Sequence, residues 1–491
     1  MKNNKTLTIC CSVIFIFLIC IVLNSFDVVA QTAEAVPAQI VISNGDVATK
    51  VTDNNYNTSV TLNTGDTVTV SLSEKTQGVY IVWGTPVKEY TLSYNGKETK
   101  QGVNGFLHDY IEFEEDVTEF TIYAEEGNCL TEISCYGSGE LPENVQIWEP
   151  SCEQADIMLL STHADDEILF FGGILPYYAG ELGYEVQVVY FSQYWTTTPI
   201  REHEKLDGLW HAGVRNYPYN GDFDDYYADD LEQAKNLFGY EKAVEFVVEM
   251  IRKFKPQVTI AQDLNGEYGH GTHKLTAAAM AEAVEISMDE TKYPESAERY
   301  GVWEAKKTYL HLYEENQINL DMRTPLSFFG GKTALEVATE AYKKHVSQQW
   351  CWFYVDDEYE YSCARFGLYR TTVGIDTTND IMENITDYKT LEEEKRLEEE
   401  SIKEEESRKE AESIKESQSI AEAESIKEAE SIKKENEEKS FKSKIKSVVI
   451  IILVIVLVSA ILFAIYFCVL IRTAKLKKKR RRKNIENRRK K

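Results

Sequence analysis

The sequence predicts a doubly wound α/β domain, preceded by a β-sandwich and followed by a charged stalk and one transmembrane helix. Three observations carry this reading. From about Ala155 to Asp376 short apolar runs alternate with amphipathic stretches, from about residue 37 to 148 polar and apolar residues alternate singly, and near the end an uncharged apolar run meets a cluster of Lys and Arg.

Residues 1–30 come first in the chain. Lys2 and Lys5 precede the run "ICCSVIFIFLICIVL", and Val28 and Ala30 have the small-residue spacing of a signal-peptidase site. A secretory signal cleaved after Ala30 is expected, with an uncleaved anchor as the alternative. Residues 37–148 contain "DTVTVSLS" and "GVYIVWG", with a turn signal in "YNGK" at Asn95-Gly96, which is the period-two pattern of a β-sandwich. No cluster of titratable residues in this part points to chemistry.

In residues 153–376, "ADIMLLS", "EVQVVYFS" and "QVTIAQD" read as buried parallel strands. "REHEKLDGLWHAG", "EKAVEFVVEMIRKF" and "HKLTAAAMAEAVEIS" read as helices between and after them. Residues 388–446 are mostly Glu, Lys, Ser, Ala and Ile with a repeated "ESIKE". Ile414, Ile420, Ile426 and Ile432 recur every six residues, which on a helix turns each by about 240° from the last, so no stripe forms and a coiled coil is disfavoured. Pairs such as Glu412 and Lys415 support a solvated single helix serving as a stalk, and disorder is the alternative. Residues 447–471 carry no charge and are long enough to span a bilayer. The basic tail 472–491 then belongs in the cytoplasm, which places the body of the protein outside the cell membrane.

The net charge of −28 averages an acidic outer portion with this basic tail, and an acidic exterior argues against nucleic acid as a partner. Cys129, Cys135, Cys152, Cys351 and Cys363 lie in the outer portion. Their spacing is not that of a zinc ribbon, and an oxidising exterior leaves the pairs Cys129 with Cys135 and Cys351 with Cys363 open as disulfides.

Chemistry concentrates in two stretches. "STHADDEILFFGG" (161–173) places His163, Asp165 and Asp166 where the strand "ADIMLLS" ends, and "DLNGEYGHGTHKLT" (263–276) places His270 and His273 after "QVTIAQD". In open α/β sheets ligands bind beyond the carboxyl ends of the strands, so the two loops are expected to converge. Taken singly, "DDE" also suits a helix start, where carboxylates meet the positive end of the macrodipole, and paired histidines suit a surface loop. Their joint occurrence, in a chain with only eight histidines, favours a site. His163, Asp166 and His273 match the three protein ligands of an open catalytic zinc site, with one divalent ion per chain. Asp165 is then free to act as general base, and His270, one helical turn from His273, is placed to stabilise an oxyanion. Spacing alone leads to a metal-dependent hydrolase.

"THADDEILFFGG" closely resembles the His-Pro-Asp-Asp-Glu signature of the PIG-L/LmbE-like N-acetylglucosaminyl deacetylases, and "NGEYGHGTH" resembles their His-x-Asp-His element. "TPIREHE" is similar to the family's Arg-x-x-Glu helix and "FGLYRTTVG" to its closing strand, so the resemblance covers about residues 153–375. It implies a Rossmann-like fold, zinc, and hydrolysis of the acetamide of an N-acetylated amino sugar. It also implies His163, Asp166 and His273 as metal ligands, Asp165 as base, His270 as oxyanion stabiliser and Arg201 as a substrate contact. Two positions depart from the pattern. Ala164 replaces a proline, and Thr272 replaces the aspartate that partners the site histidine, so His270 should protonate less readily unless Asp263 or Glu267 substitutes. "VTDNNYNTSVTL" and "FTIYAEEGNCLTEISCYG" resemble discoidin-like, galactose-binding-like sandwiches, either glycan-binding or plain spacers. The alternatives to an N-deacetylase are a cell-surface glycan-binding adhesin with an inactive deacetylase-like domain, and a hydrolase of another amide.

Overall fold

The structure is a computed structural model that describes residues 32–438, 449 and 451–468. Residues 1–30, read as a signal, and the basic tail lie outside the described residues. One compact unit extends to Leu391 and a second begins at Glu392.

The first unit contains two sheets. The N-terminal one is antiparallel throughout, built from β1 (Ala38–Ile42), β2 (Val60–Leu62), β3 (Thr67–Trp83), β4 (Tyr90–Tyr94), β5 (Lys97–Gln101), β6 (His108–Ala124) and β7 (Asn128–Tyr136). The hydrogen-bonded order is β2-β7-β3-β6-β4-β5, with β1 also on β3. The 17-residue strands β3 and β6 pair along nearly their whole length, with register shifts between Ser71 and Gly78. Such bulges bend a ribbon, and here they let one continuous sheet enclose a core of Val60, Leu62, Val68, Ile81, Trp83, Leu92 and Ile122.

The second sheet comprises β8 (Ile157–Ser161), β9 (Val186–Gln193), β10 (Tyr219–Asp224), β11 (Val258–Ala261), β12 (Lys307–His311), β13 (Gln317–Asn319) and β14 (Arg365–Thr371). Its order is β10-β9-β8-β11-β12-β14-β13, the first five strands being parallel and β14 antiparallel to both its neighbours. Every residue of β8 and β9 is buried, as expected of strands covered on both faces. Side-chain alternation divides β8 between two cores: Ile157 and Leu159 pack on one face, Met158 and Leu160 on the other. The helices are α1 (Asp166–Leu169), α2 (Ile200–His211), α3 (Leu231–Phe238), α4 (Tyr240–Phe254), α5 (Gly271–Ile286), α6 (Pro294–Tyr300), α7 (Ala334–Tyr342) and α8 (Tyr388–Glu438). Strand order reverses between β8 and β11, so the loops after these two strands flank the crevice where a ligand of such a sheet sits.

The two sheets share a core. Phe106, Leu107 and Trp148 belong to the same buried cluster as Leu159 and Phe170, and Phe106 stacks on Tyr217 at 4.5 Å. Tyr217 Oη accepts from the Leu107 amide at 3.0 Å, and His108 Nε2 meets His203 Nδ1 on α2 at 2.9 Å.

The cysteine pairs left open by the sequence are corrected: Cys129, Cys135, Cys152, Cys351 and Cys363 are all free thiols. Cys129 and Cys135 lie on one strand, six residues and therefore roughly 20 Å apart, beyond any disulfide. Cys351 Sγ instead lies 3.1 Å from Tyr342 Oη, and Cys363 is buried by itself.

In the second unit the Glu/Lys/Ser-rich segment is helical through Glu438, with Ile414 and Ile420 exposed. Beyond it a single helix, Ile451–Cys468, is long and apolar enough to cross a membrane, with a mean hydropathy of 3.1.

Candidate active site

The turn after β8 is short and strained. Asp165 has φ of +116°, a conformation that a non-glycine residue adopts at a cost of about 1–3 kcal/mol. Two contacts hold it there: its amide donates to Glu167 Oε2 at 2.7 Å, and the Ala164 amide donates to Tyr194 Oη at 3.1 Å. Asp165 and Asp166 diverge as a result. Asp166 Oδ2 turns to His163, accepting from its amide at 2.9 Å, while Asp165 Oδ1 faces Arg201 at 3.1 Å.

The loop after β11 delivers the second half. Its Gly271 is required by close approach, since a Cβ there would sit 2.2 Å from the Asp230 carbonyl oxygen and its amide donates to the Ala228 oxygen at 2.8 Å. This docking seats the first turn of α5 against the segment that follows β10. His270 caps α5, its Nδ1 accepting from the Thr272 amide at 3.2 Å, so the ring carries its proton on Nε2.

The two halves meet. His163 Nδ1, His273 Nε2 and Asp166 Oδ2 form a triangle with edges of 3.0, 3.0 and 3.1 Å. Three ligands of a tetrahedral ion with bonds of about 2.0–2.1 Å lie roughly 3.3 Å apart, so this donor set fits a small divalent cation with little adjustment. The ring nitrogens of His163, His270 and His273 also lie within 4.8 Å of one another. Of these, His270 already uses Nδ1 as a helix cap, and the tighter set is the one containing Asp166. All four of these residues are buried, and so is Asp165.

Electrostatics separate the two aspartates. Burial pushes the Asp165 carboxyl up to about 7 against the pull of Arg201. Burial also opposes charge on Asp166, but His273 and His163 hold it well below the usual carboxylate range. His273 is raised to about 10: burial works against its charge, and the Asp166 and Glu267 carboxylates outweigh burial. His270 is lowered to about 2, by burial first and then by His163 and His273.

All six residues singled out in the sequence therefore converge. Arg201 is tied to the Ala164 carbonyl, to Asp165 and, at 3.6 Å, to Asp225, and its carbon Cζ lies 4.2 Å over the Tyr194 ring. Its buried Nε has no hydrogen-bond partner among the described residues. The carboxylate anticipated beside His270 is absent from it among the described residues. Glu267 instead accepts from His273 Nδ1 at 2.8 Å and from His311 Nδ1 at 2.6 Å, and Asp263 Oδ1 accepts from Asn265.

Sequence reasoning missed Gln262, which donates to Asp166 Oδ2 at 2.7 Å, and Asp225, 3.7 Å from His163 Nε2. It also missed His345, which faces Glu167 at 2.8 Å. A polar residue at the very end of "TIAQ" was a readable signal for Gln262. Asp225 follows a strand interrupted by Gly221 and Asp222, and His345 lies far away in sequence, so neither left one.

Glu267 is fully buried, and two imidazoles hold its carboxyl down to about 2 against burial. Glu267→Ala strands both protons without an acceptor. It is expected to cost about 3–5 kcal/mol of unfolding free energy by denaturant titration, as when one partner of a buried pair is removed.

The fold and the site together define a mixed α/β protein whose switch-point crevice is lined by imidazoles and carboxylates. Residues 158–284 match the PIG-L family, described as GlcNAc-PI de-N-acetylase, and this segment is a PIG-L family domain. The chain is 23% identical over 187 residues to a 1D-myo-inositol 2-acetamido-2-deoxy-alpha-D-glucopyranoside deacetylase of Catenulispora acidiphila, covering 31% of this chain and 54% of the relative. It is 28% identical over 187 residues to the corresponding deacetylase of Rhodococcus erythropolis, covering 33% and 62%. The chain thus spans between half and two thirds of the length of these curated relatives. Among solved structures it is similar to the N,N'-diacetylchitobiose deacetylase of Pyrococcus horikoshii, at 18% identity and a TM-score of 0.32 over 40% of this chain and 71% of that one.

Proposed function

We propose that the protein is a metal-dependent hydrolase that removes the N-acetyl group from an N-acetylglucosamine-containing substrate on the outer face of the cell membrane. The observation that carries this reading is the triangle of His163, His273 and Asp166 beside a second buried carboxylate, Asp165, that faces Arg201 and stands outside the triangle. The proposed layout is a removed signal (1–30), a sandwich module (37–148), the hydrolase (153–376), a stalk (388–446), a membrane helix (447–471) and a cytoplasmic tail (472–491).

His163, Asp166 and His273 would hold one divalent ion, which we take as zinc because the family resemblance implies it, and which when bound supplies a Lewis acid and lowers the pKa of water toward about 7. Asp165 takes the proton of the water that adds to the acetamide carbon. His270, neutral and with its proton on Nε2, donates a hydrogen bond to the oxygen that gains charge as that carbon becomes tetrahedral. As the carbon–nitrogen bond breaks, Asp165 returns the proton to the nitrogen, giving acetate and a free amine. Arg201 keeps Asp165 oriented and, as the resemblance implies, contacts the substrate. No ionised partner is required at His270, which agrees with Thr272 standing where the resemblance expects aspartate.

The test is acetate release and amine formation by the full chain on N-acetylglucosamine and its oligomers, with chelator and then zinc added. Turnover lost with chelator and restored by zinc is expected. Absence of acetate from every member of the panel would sink the reading, and turnover on a membrane-impermeant oligomer by intact cells tests the outer-face placement.

A further inference from the structure

Beyond the PIG-L segment, the stretch "WCWFYVDDEYEY" (350–361) gathers six aromatic residues. Trp350 is the most exposed large apolar side chain among the described residues, at 82%, and Trp352 is 61% exposed. Indole is the side chain a protein least readily leaves in water, so two on one loop call for a partner.

The loop is not loose. The Ser347 amide and hydroxyl both donate to buried Glu204, at 2.7 and 2.6 Å, and the Gln349 side chain donates to the carbonyls of Tyr342 and His345. On the far side Arg323 grips Asp357 with two bonds of 2.8 and 2.7 Å. The tryptophans are therefore presented in place, which lowers the entropy cost of using them.

A ladder of rings joins Trp352 to the candidate active site, and Trp350 lies two residues away on the same loop. Trp352 lies 4.1 Å from Phe353, Phe353 lies 4.5 Å from Tyr268, and Tyr268 lies 5.6 and 5.4 Å from His270 and His273. Exposed Tyr227 approaches His270 from another element at 4.7 Å. We propose that Trp350 and Trp352 form a second subsite, which takes the apolar face of a pyranose ring linked to the N-acetylated ring at the metal-ligand triangle. The substrate is then an oligosaccharide or polysaccharide and not a free monosaccharide. This rests on the deacetylase reading above. A membrane as occupant is disfavoured because the acidic run 356–360 beside the tryptophans would meet anionic headgroups. An ionic ligand is disfavoured because Asp357 and Glu358 are taken by Arg323, and Asp356 by loop amides.

The experiment measures calorimetric binding of the N-acetylglucosamine monomer and tetramer to the full chain carrying Asp165→Asn, with and without Trp350→Ala and Trp352→Ala. The tetramer should bind more tightly than the monomer, and the double tryptophan change should lower that ratio about tenfold, the scale of one or two stacked rings. Circular dichroism and zinc content equal to the parent exclude misfolding. An unchanged ratio, a tetramer no tighter than the monomer, or a tryptophan-dependent dimer in sedimentation would each overturn the subsite. Acetate release by the unmutated chain is scored separately. Tryptophan-dependent tetramer binding without acetate keeps the subsite and removes the activity, whereas acetate release with an unchanged ratio does the reverse.

Discussion

Asp165→Asn is expected to lower kcat/KM on an N-acetylglucosaminyl substrate by about 10²–10⁴-fold, the range a positioned general base contributes, with zinc content unchanged. Asparagine keeps the size of the side chain, tolerates positive φ better than most residues, and leaves the Arg201 fork an oxygen to bond. What it removes is proton affinity. The acid limb of the parent pH profile provides a second readout. Burial raises Asp165 to about 7, and the active form is the ionised one, so the rate falls as pH drops below about 7. A bound cation adds to the pull of Arg201 and moves that limb lower, never higher. Asp165→Asn should lose the limb together with the rate. Turnover near the parent level would remove Asp165 from the mechanism.

His273→Ala should reduce zinc from about one per chain to background in elemental analysis, and abolish the rise in Tm that zinc gives the parent. The imidazole supplies one corner of the triangle, and His270, the other imidazole nearby, already uses Nδ1 as a helix cap. With zinc at 100 times its Kd the parent gains about 2.7 kcal/mol by mass action, and the variant should gain none. Truncation also leaves Asp166 and Glu267 facing each other across the lost ring without the cation between them. The variant should therefore be less stable than the zinc-stripped parent as well. Equal zinc in both proteins would show that the triangle is not the metal site.

Much of the site was legible because its chemistry is local. "HADD" and "HGTH" each follow an apolar run of strand length, and a buried β-strand ending in acids or histidines is an economical description of a switch-point loop. The helix of the Glu/Lys/Ser-rich segment was legible for a related reason, since its charged pairs lie three residues apart on one chain. The partners of the site residues were not, because hydrogen bonds across a crevice obey no sequence spacing. Glu267 could be named as a candidate carboxylate but was offered to His270, and only the turn of the chain through Tyr268, with φ of +46°, brings it to His273. The disulfide reading failed because spacing in sequence was used without the strand: an extended β7 carries Cys129 and Cys135 apart. The aromatic loop passed unnoticed because aromatics read equally as core and as surface until exposure is known.

The core shared by the two sheets limits how the chain could have been assembled over evolutionary time. Phe106 on Tyr217 and His108 on His203 mean that the N-terminal half is not a cassette strung beside an enzyme. A recombination event placing this α/β half behind a different leader sequence would inherit a bare apolar face, with the His203 imidazole and the Tyr217 phenol left without these partners. The two halves are therefore expected to have been transmitted together, with substitutions at 106, 108, 203 and 217 constrained as a group.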